Sequence, residues 1–346
     1  MAEFLLNARL CSAGLDIQIR ADQHDDEQRD DNTKQNEHEA EQLRHAGNVT
    51  QRMFEEKMND TVVILNPAAN SARASRERAR IEALAENCQV CTTSERGEAE
   101  TLARHAAREG FTKIVAAGGD GTINEVVNGL AGTESVLGLL PMGTVNVFAS
   151  ELGLPSHDLE SCWRVIEEGH TRVVDLPNAN GKYFVQLAGV GLDAQAVKET
   201  SASLKHNFGP LSYLISAAQI AARQPPRLFI ESDGREKMEG SFVLIGNGRR
   251  YGGPFPFFKQ AMLDDGLLDV VAFKQLGYFE ILRYLQEVFF SSDIRVPEIE
   301  YFQTKRLRIS SDEDVPVELD GELVGACPVE FEIREKTLRV LAPARD

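Results

Sequence analysis

The residues of this chain best suited to chemistry lie in Ile114-Val115-Ala116-Ala117-Gly118-Gly119-Asp120-Gly121-Thr122-Ile123-Asn124-Glu125. An apolar run leads directly into glycines, and Thr122 with Glu125 three residues later reads as a capping box that opens a helix. Glycines let the backbone approach a ligand closely, and the free amides of a helix N-terminus favour an anion, phosphate above all. A tight strand-to-helix turn without a ligand is the plain alternative. Two glycines, a carboxylate, a third glycine and a capping Thr together favour the phosphate site. Asp120 beside phosphates makes sense if a metal ion lies between them. The pattern matches neither G-x-x-x-x-G-K-[ST] nor G-x-G-x-x-G after the first strand.

These residues need a scaffold, and the flanking sequence supplies one. Strands are predicted at 61–65, 89–93, 113–117 and 136–140, alternating with helices at 74–87, 98–109 and 122–129. Short apolar strands separated by helices predict βαβ units and a parallel sheet covered on both faces. The carboxyl ends of such strands deliver ligand-binding loops. Asn66-Pro67 ends the first strand, Thr92-Thr93 the second, the glycine stretch the third, and Leu140-Pro141-Met142-Gly143-Thr144-Val145-Asn146 the fourth, so four strand ends converge on one crevice.

After about Asp175 the texture changes to alternating strands punctuated by glycine, at 183–188, 227–232, 240–246, 268–273, 307–311 and 338–341. Helical patterns persist at 194–198, 210–223 and 278–290. The mixture predicts a second, mainly antiparallel domain. The expected organisation is an acidic extension (1–57), an α/β domain (58–174) and a mainly β domain (175–346) whose last residues pack back on the first. The extension is crowded with polar and charged residues and is expected to be disordered. Met53 and Met58 stand just before the first strand, so a start-site artefact ahead of a shorter natural protein is weighed equally with a genuine tail.

Composition narrows the function classes. The 346 residues carry a formal charge of −17, which argues against a broad basic surface for nucleic acid. The longest apolar stretch, near 211–222, is interrupted by Ser212, Ser216 and Gln219, so no membrane-spanning helix is predicted. Five irregularly spaced cysteines imply no disulfide framework and suit a reducing cytoplasm. Cys88 and Cys91 read as packing thiols, and the histidines lack zinc spacing. The stretch 252–258, rich in Gly, Pro and Phe, is either a buried loop or an apolar lip at a substrate entrance.

The order Asn66-Pro67, Thr93 four residues before Gly97, Gly118-Gly119-Asp120-Gly121-Thr122 and Leu140-Pro141-x-Gly143-Thr144-x-Asn146 resembles the catalytic domain of diacylglycerol kinases, particularly the soluble bacterial lipid kinases. The resemblance covers about residues 60 to 345. It implies an α/β nucleotide-binding domain, related to those of NAD kinases and phosphofructokinases, joined to a β-sandwich-like domain, with the active site in the cleft between them. It further implies ATP contacts from Asn66, Thr93, the stretch Gly118 to Glu125 (Gly118, Gly119, Asp120, Gly121, Thr122, Ile123, Asn124, Glu125), Gly143 and Thr144. Met262, Asp265 and Leu267 match the family's structural magnesium site, through one carboxylate and two backbone carbonyls. Leu319-Asp320-Gly321-Glu322 matches its catalytic loop, with Glu322 as general base and Asp320 and Asp120 beside it. Two departures stand out: Asn70-Ser71 replaces the usual Ser-Gly, and Val147 stands where many members carry Asp.

Spacing alone would make Asp265-Gly266 and Asp320-Gly321 solvated turns. Phosphoryl transfer gives them a role, because it needs an oriented hydroxyl, a carboxylate within reach of its proton and a cation for the polyphosphate. The expectation is therefore a Mg²⁺-dependent kinase that uses ATP and a lipid alcohol at a membrane surface, with diacylglycerol first. Other acceptors are a sphingoid base, phosphatidylglycerol or NAD. A noncatalytic nucleotide- or lipid-binding regulator is the competing class, disfavoured by the presence of Asp120, Asp320 and Glu322 together. Oligomeric state stays open, with a homodimer as one option.

Overall fold

The computed structural model describes residues 60–67, 72–155, 157–191, 225–251, 255–274 and 298–344. The extension 1–57, the helices expected at 194–198, 210–223 and 278–290, residues 252–254 and the pair Asn70-Ser71 lie outside the described residues. Residues 57–346 form one compact unit.

The first part alternates as its sequence pattern demands: β1 (Thr61–Leu65), α1 (Ala72–Leu84), β2 (Gln89–Thr92), α2 (Glu98–Arg108), β3 (Lys113–Gly118), α3 (Asp120–Leu130), β4 (Val136–Pro141), α4 (Val147–Glu151) and α5 (Leu159–Glu168). Every residue of β1 is buried, because the strand is central and covered on both faces. The strands are parallel in the order β2-β1-β3-β4. The chain leaves β1 for one side and returns to its other side at β3, so β1 and β3 flank a topological switch point, where open α/β sheets bind ligands. Asn66 and Gly119 follow those two strands, and the Asn66 amide donates to the Ala117 carbonyl at 2.9 Å.

The second part contributes β5 (Thr171–Ala179), β6 (Lys182–Tyr183), β7 (Leu187–Val190), β8 (Leu228–Ser232), β9 (Met238–Gly240), β10 (Phe242–Gly246), β11 (Arg250–Tyr251), β12 (Phe255–Pro256), β13 (Leu268–Phe273), β14 (Ile299–Thr304), β15 (Arg306–Ser311), β16 (Pro316–Leu319), β17 (Glu322–Ala326) and β18 (Val329–Leu341). A six-stranded antiparallel sheet runs β14-β13-β10-β7-β16-β17. It faces β18, β15 and β8 across a shared core that includes Phe184, Ile245, Val270, Ile309 and Phe331, which gives the expected sandwich-like arrangement beside the α/β layer. The 13 residues of β18 tie the two parts together: the strand pairs antiparallel with β5 and β15, and its Val340 pairs parallel with Leu137 of β4. The expected break at 174/175 falls inside β5.

Several boundaries differ from the sequence pattern for identifiable reasons. The strand expected at 183–188 is interrupted between β6 and β7, where a carboxylate takes the backbone amides of residues 185–187. Phe257 and Phe258 are core residues: they pack with Phe242, Leu244 and Phe273, and Gly246 has no room for a Cβ, which would lie 2.4 Å from the Phe258 ring. Cys91 is buried and its thiol is pushed up to about 12, as a packing thiol would be.

Helices α2 and α3 approach closely at Gly129, where a Cβ would lie 2.4 Å from the Glu100 carbonyl oxygen and 2.7 Å from the Ala103 Cβ. Helix propensity alone would make Gly129→Ala stabilising by about 1 kcal/mol. Contact with backbone reverses the sign, because overpacking a close helix pair costs about 1–3 kcal/mol. Gly129→Ala should therefore lower the urea midpoint; a midpoint at or above that of the parent would show that the helices can part at no cost.

Candidate active site

The glycine stretch enters α3 three residues earlier than a capping box with Thr122 as N-cap required. The helix begins at Asp120 with Gly119 as N-cap, and no side chain caps it. Thr122 and Glu125 are inside the helix, and both are engaged elsewhere. The Thr122 hydroxyl accepts from Asn66 Nδ2 at 2.8 Å, tying α3 to the end of β1. The Glu125 carboxylate accepts from the amides of Gly97 (2.9 Å) and Ala99 (3.2 Å), so it caps α2 instead of its own helix. The uncapped start of α3 leaves its first amides without intrahelical partners, and the helix dipole adds to their pull on an anion.

The glycines earn their places by backbone approach. A Cβ on Gly118 would lie 2.6 Å from Thr122, and one on Gly143 would lie 2.9 Å from the Gly119 Cα, so the two glycine loops pack backbone on backbone. Asp120 follows Gly119, and its carboxyl lies at the start of α4. Burial pushes its carboxyl above the ordinary aspartate range, opposed by the amides of Val147, Phe148 and Asn146 at the start of α4. Its Oδ1 is buried with no hydrogen-bond partner in the protein.

An open cavity of about 630 Å³ lies at these strand ends. It brings together Asn66, Thr93, Gly119, Gly121, Thr122, Glu125 and Glu322 from the expected set, and adds Arg96, which sequence reasoning missed. Gly118, Asp120, Ile123, Asn124, Gly143, Thr144 and Asp320 do not line it. Ile123 is a core side chain. Glu322 reaches the start of α3, its Oε1 lying 3.4 Å from where a Gly121 Cβ would be. Its Oε2 pairs with Arg96 Nη2 at 2.7 Å. The hydrogen bond and charge of Glu322 hold the Arg96 guanidinium above its ordinary range, with Glu125 adding to the effect.

Glu322 is aimed by its neighbour. Asp320 and Gly321, with φ of 48° and 83°, form the two-residue turn between β16 and β17, both in the left-handed region that such turns require. The Asp320 carboxylate accepts four hydrogen bonds: Oδ1 from the amides of Gln186 and Leu187, both at 3.0 Å, and Oδ2 from the Val185 amide (2.8 Å) and Asn124 Nδ2 (2.6 Å). Those fill its acceptor sites. Burial of the carboxyl pushes it up, while the four donors favour the charged form. It is placed to position Glu322, with no lone pair left for a substrate. One turn along α3, Asn128 donates to the Tyr183 carbonyl and accepts from the Tyr183 amide.

Met262, Asp265 and Leu267 lie apart from this cavity, in the turn before β13. Burial is the main cause that pushes the Asp265 carboxyl up, with the charges of Asp175 and Asp264 adding to it. Asp265 Oδ1 accepts from the Leu267 amide at 3.0 Å. Asp175, itself buried, accepts from the amides of Gly266 and Lys336. Like charges gathered at a partly buried turn suit a cation. Among the described residues no three His, Cys, Asp or Glu side chains form a metal cage, so a cation here would depend on backbone carbonyls as well.

Residues 60–179 match the model of the diacylglycerol kinase catalytic domain, and residues 186–342 that of the YegS C-terminal NAD kinase beta sandwich-like domain. The diacylglycerol kinase of Staphylococcus aureus (strain MRSA252) is 32% identical over 289 residues, covering 81% of this chain and 91% of that protein. That of Bacillus subtilis (strain 168) is 32% identical over 252 residues, covering 71% and 83%. A protein of Bacillus anthracis str. Sterne solved as a candidate diacylglycerol kinase superposes with a TM-score of 0.69 at 26% identity, over 82% of this chain and 97% of that one.

Asp320→Asn would turn an amide NH₂ toward two backbone N–H donors. Each buried donor left unpaired costs about 1–3 kcal/mol, so the variant should melt lower. At a temperature where circular dichroism shows it folded, kcat should fall about tenfold through the misplaced Glu322 while nucleotide affinity stays within about twofold. Unchanged kcat in a destabilised but folded variant would leave Asp320 a purely structural residue.

Proposed function

We propose that this chain, which belongs to the diacylglycerol kinase family, transfers the γ-phosphate of ATP to the hydroxyl of diacylglycerol. Membership makes it a lipid kinase with an alcohol acceptor; the nucleotide and the particular lipid are our reading. The observation that carries it is the placement of Glu322 against the uncapped N-terminus of α3, in the cavity lined by Asn66, Thr93, Gly119 and Thr122.

The polyphosphate would lie along the first amides of α3 and the Gly119 turn, where the dipole and free N–H groups replace its water. Glu322 would take the proton of the lipid hydroxyl as its oxygen attacks the γ-phosphorus, and the bond to the β–γ bridging oxygen would break to release ADP. Mg²⁺, when bound, would neutralise charge on the phosphates. Asp120, whose Oδ1 has no partner in the protein, is the residue we assign to hold it, directly or through water. No helix among the described residues is long and apolar enough to cross a membrane, so the chain would meet its lipid at the bilayer surface.

Labelled ATP, Mg²⁺ and vesicles of phosphatidylcholine containing diacylglycerol should yield labelled phosphatidic acid. Parallel vesicles with a sphingoid base or phosphatidylglycerol, and free NAD, test the other acceptors. Glu322→Gln should fold and still bind ATP while losing on the order of 10²-fold or more in turnover. Turnover equal to the parent would remove Glu322 as the base.

The turn holding Asp265 is assigned a structural cation, carried by the Asp265 carboxylate and the carbonyls of Met262 and Leu267. A cation that binds the folded state raises stability with its free concentration. Without nucleotide, the parent should melt higher in Mg²⁺ than in chelator, and Asp265→Ala should respond less. Equal shifts in both would return this segment to a simple turn.

A further inference from the structure

Arg96 pairs with Glu322 at 2.7 Å while its own side chain is 70% exposed. The backbone that carries it is held firmly. The amides of Ser94 and Glu95 donate to Glu98, and the Gly97 amide donates to Glu125. The guanidinium is thus an exposed head on an anchored loop. It is also the one cationic side chain among the described residues lining the cavity, beside the three carboxylates of Glu95, Glu125 and Glu322. Two anions therefore compete for it: the carboxylate that holds it now and any polyphosphate that enters.

Taking the phosphate site proposed above as given, we infer that Arg96 is a shared counter-ion that passes from Glu322 to the nucleotide phosphates on binding, so that the base is freed when the phosphoryl donor is in place. A guanidinium offers a planar fork of donors suited to phosphate oxygens as well as to carboxylate. Without nucleotide it occupies Glu322 Oε2, the oxygen that would otherwise be open to a hydroxyl or to water. With nucleotide it adds the cationic contact that this acidic cavity otherwise lacks. The residue positions the base before the reaction and binds the donor during it.

Competition makes a thermodynamic prediction that needs no turnover. Calorimetric titration with ATP in Mg²⁺ should show Arg96→Ala binding about tenfold more weakly, the scale of one lost charge-assisted contact. Adenosine, which lacks phosphates, should bind both proteins within about twofold. Glu322→Gln releases Arg96 in advance, so ATP should bind this variant about two- to fivefold more tightly than the parent, the scale of a partly exposed ion pair. The same Glu322→Gln change made in the Arg96→Ala background should give a smaller gain, because no ion pair remains to break. An equal or larger gain there, or ATP affinity indifferent to Arg96, would overturn the shared counter-ion while leaving the kinase reading intact. A parent that binds no ATP would overturn both. Arg96 projects into solvent, and matching far-ultraviolet spectra would confirm that the variants fold.

Discussion

The structure turns on one buried carboxylate. Asp320 sits in a half-buried turn, where an ionised group held away from water is costly unless donors surround it. Three consecutive backbone amides and the Asn124 side chain supply those donors. The three amides come from the break between β6 and β7, and Asn124 comes from the helix that starts at the glycine turn. One side chain therefore fixes the tight β16–β17 turn to the α/β layer, and Glu322, two residues on, inherits that registration. The Asn128 contacts with Tyr183 repeat the attachment one helical turn away. A side chain aimed this way does not depend on a loop finding its own conformation.

The second constraint is the close approach of two backbones. Gly119 and Gly143 meet where a side chain on Gly143 could not fit, which brings the ends of β3 and β4 together. Asp120 lies behind that contact, near the start of α4, and does not line the cavity. On the function proposed above, it would act on the phosphates through the charge of a cation without presenting its own charge directly.

Much of this could be read from residue types, and the exceptions share a cause. The parallel order, the glycine-rich entry to α3 and the convergence of strand ends follow from local pattern. The tight turn at Asp320-Gly321 was also readable, but the reason for an aspartate there was not. Its partners lie 133 to 196 positions away in the chain, and only the fold brings them together. Glu125 misled for the same reason. Three residues after a Thr it imitates a local cap, and a tertiary contact with α2 recruits it instead. Arg96 left no signal, since an arginine in a polar loop is usually solvated. The long β18 was read only at its final residues because its first half, where buried and more open positions alternate, lacks a continuous apolar run.

The acidity of the cavity follows from the task proposed for it. A carboxyl group that is to take a proton from an alcohol must be anionic, yet the phosphoryl donor beside it is anionic too. Binding through lysines would ease the second demand and compromise the first, because fixed cations next to Glu322 would compete for its lone pairs. Backbone amides avoid the conflict. They carry partial positive charge, cannot move to the carboxylate, and are aimed by the helix that Asp320 and Asn124 hold in place. Among the described lining residues a single exposed cation, Arg96, accompanies them, and its pairing with Glu322 offsets one of the three carboxylates there, a balance that on our reading an arriving polyphosphate would shift.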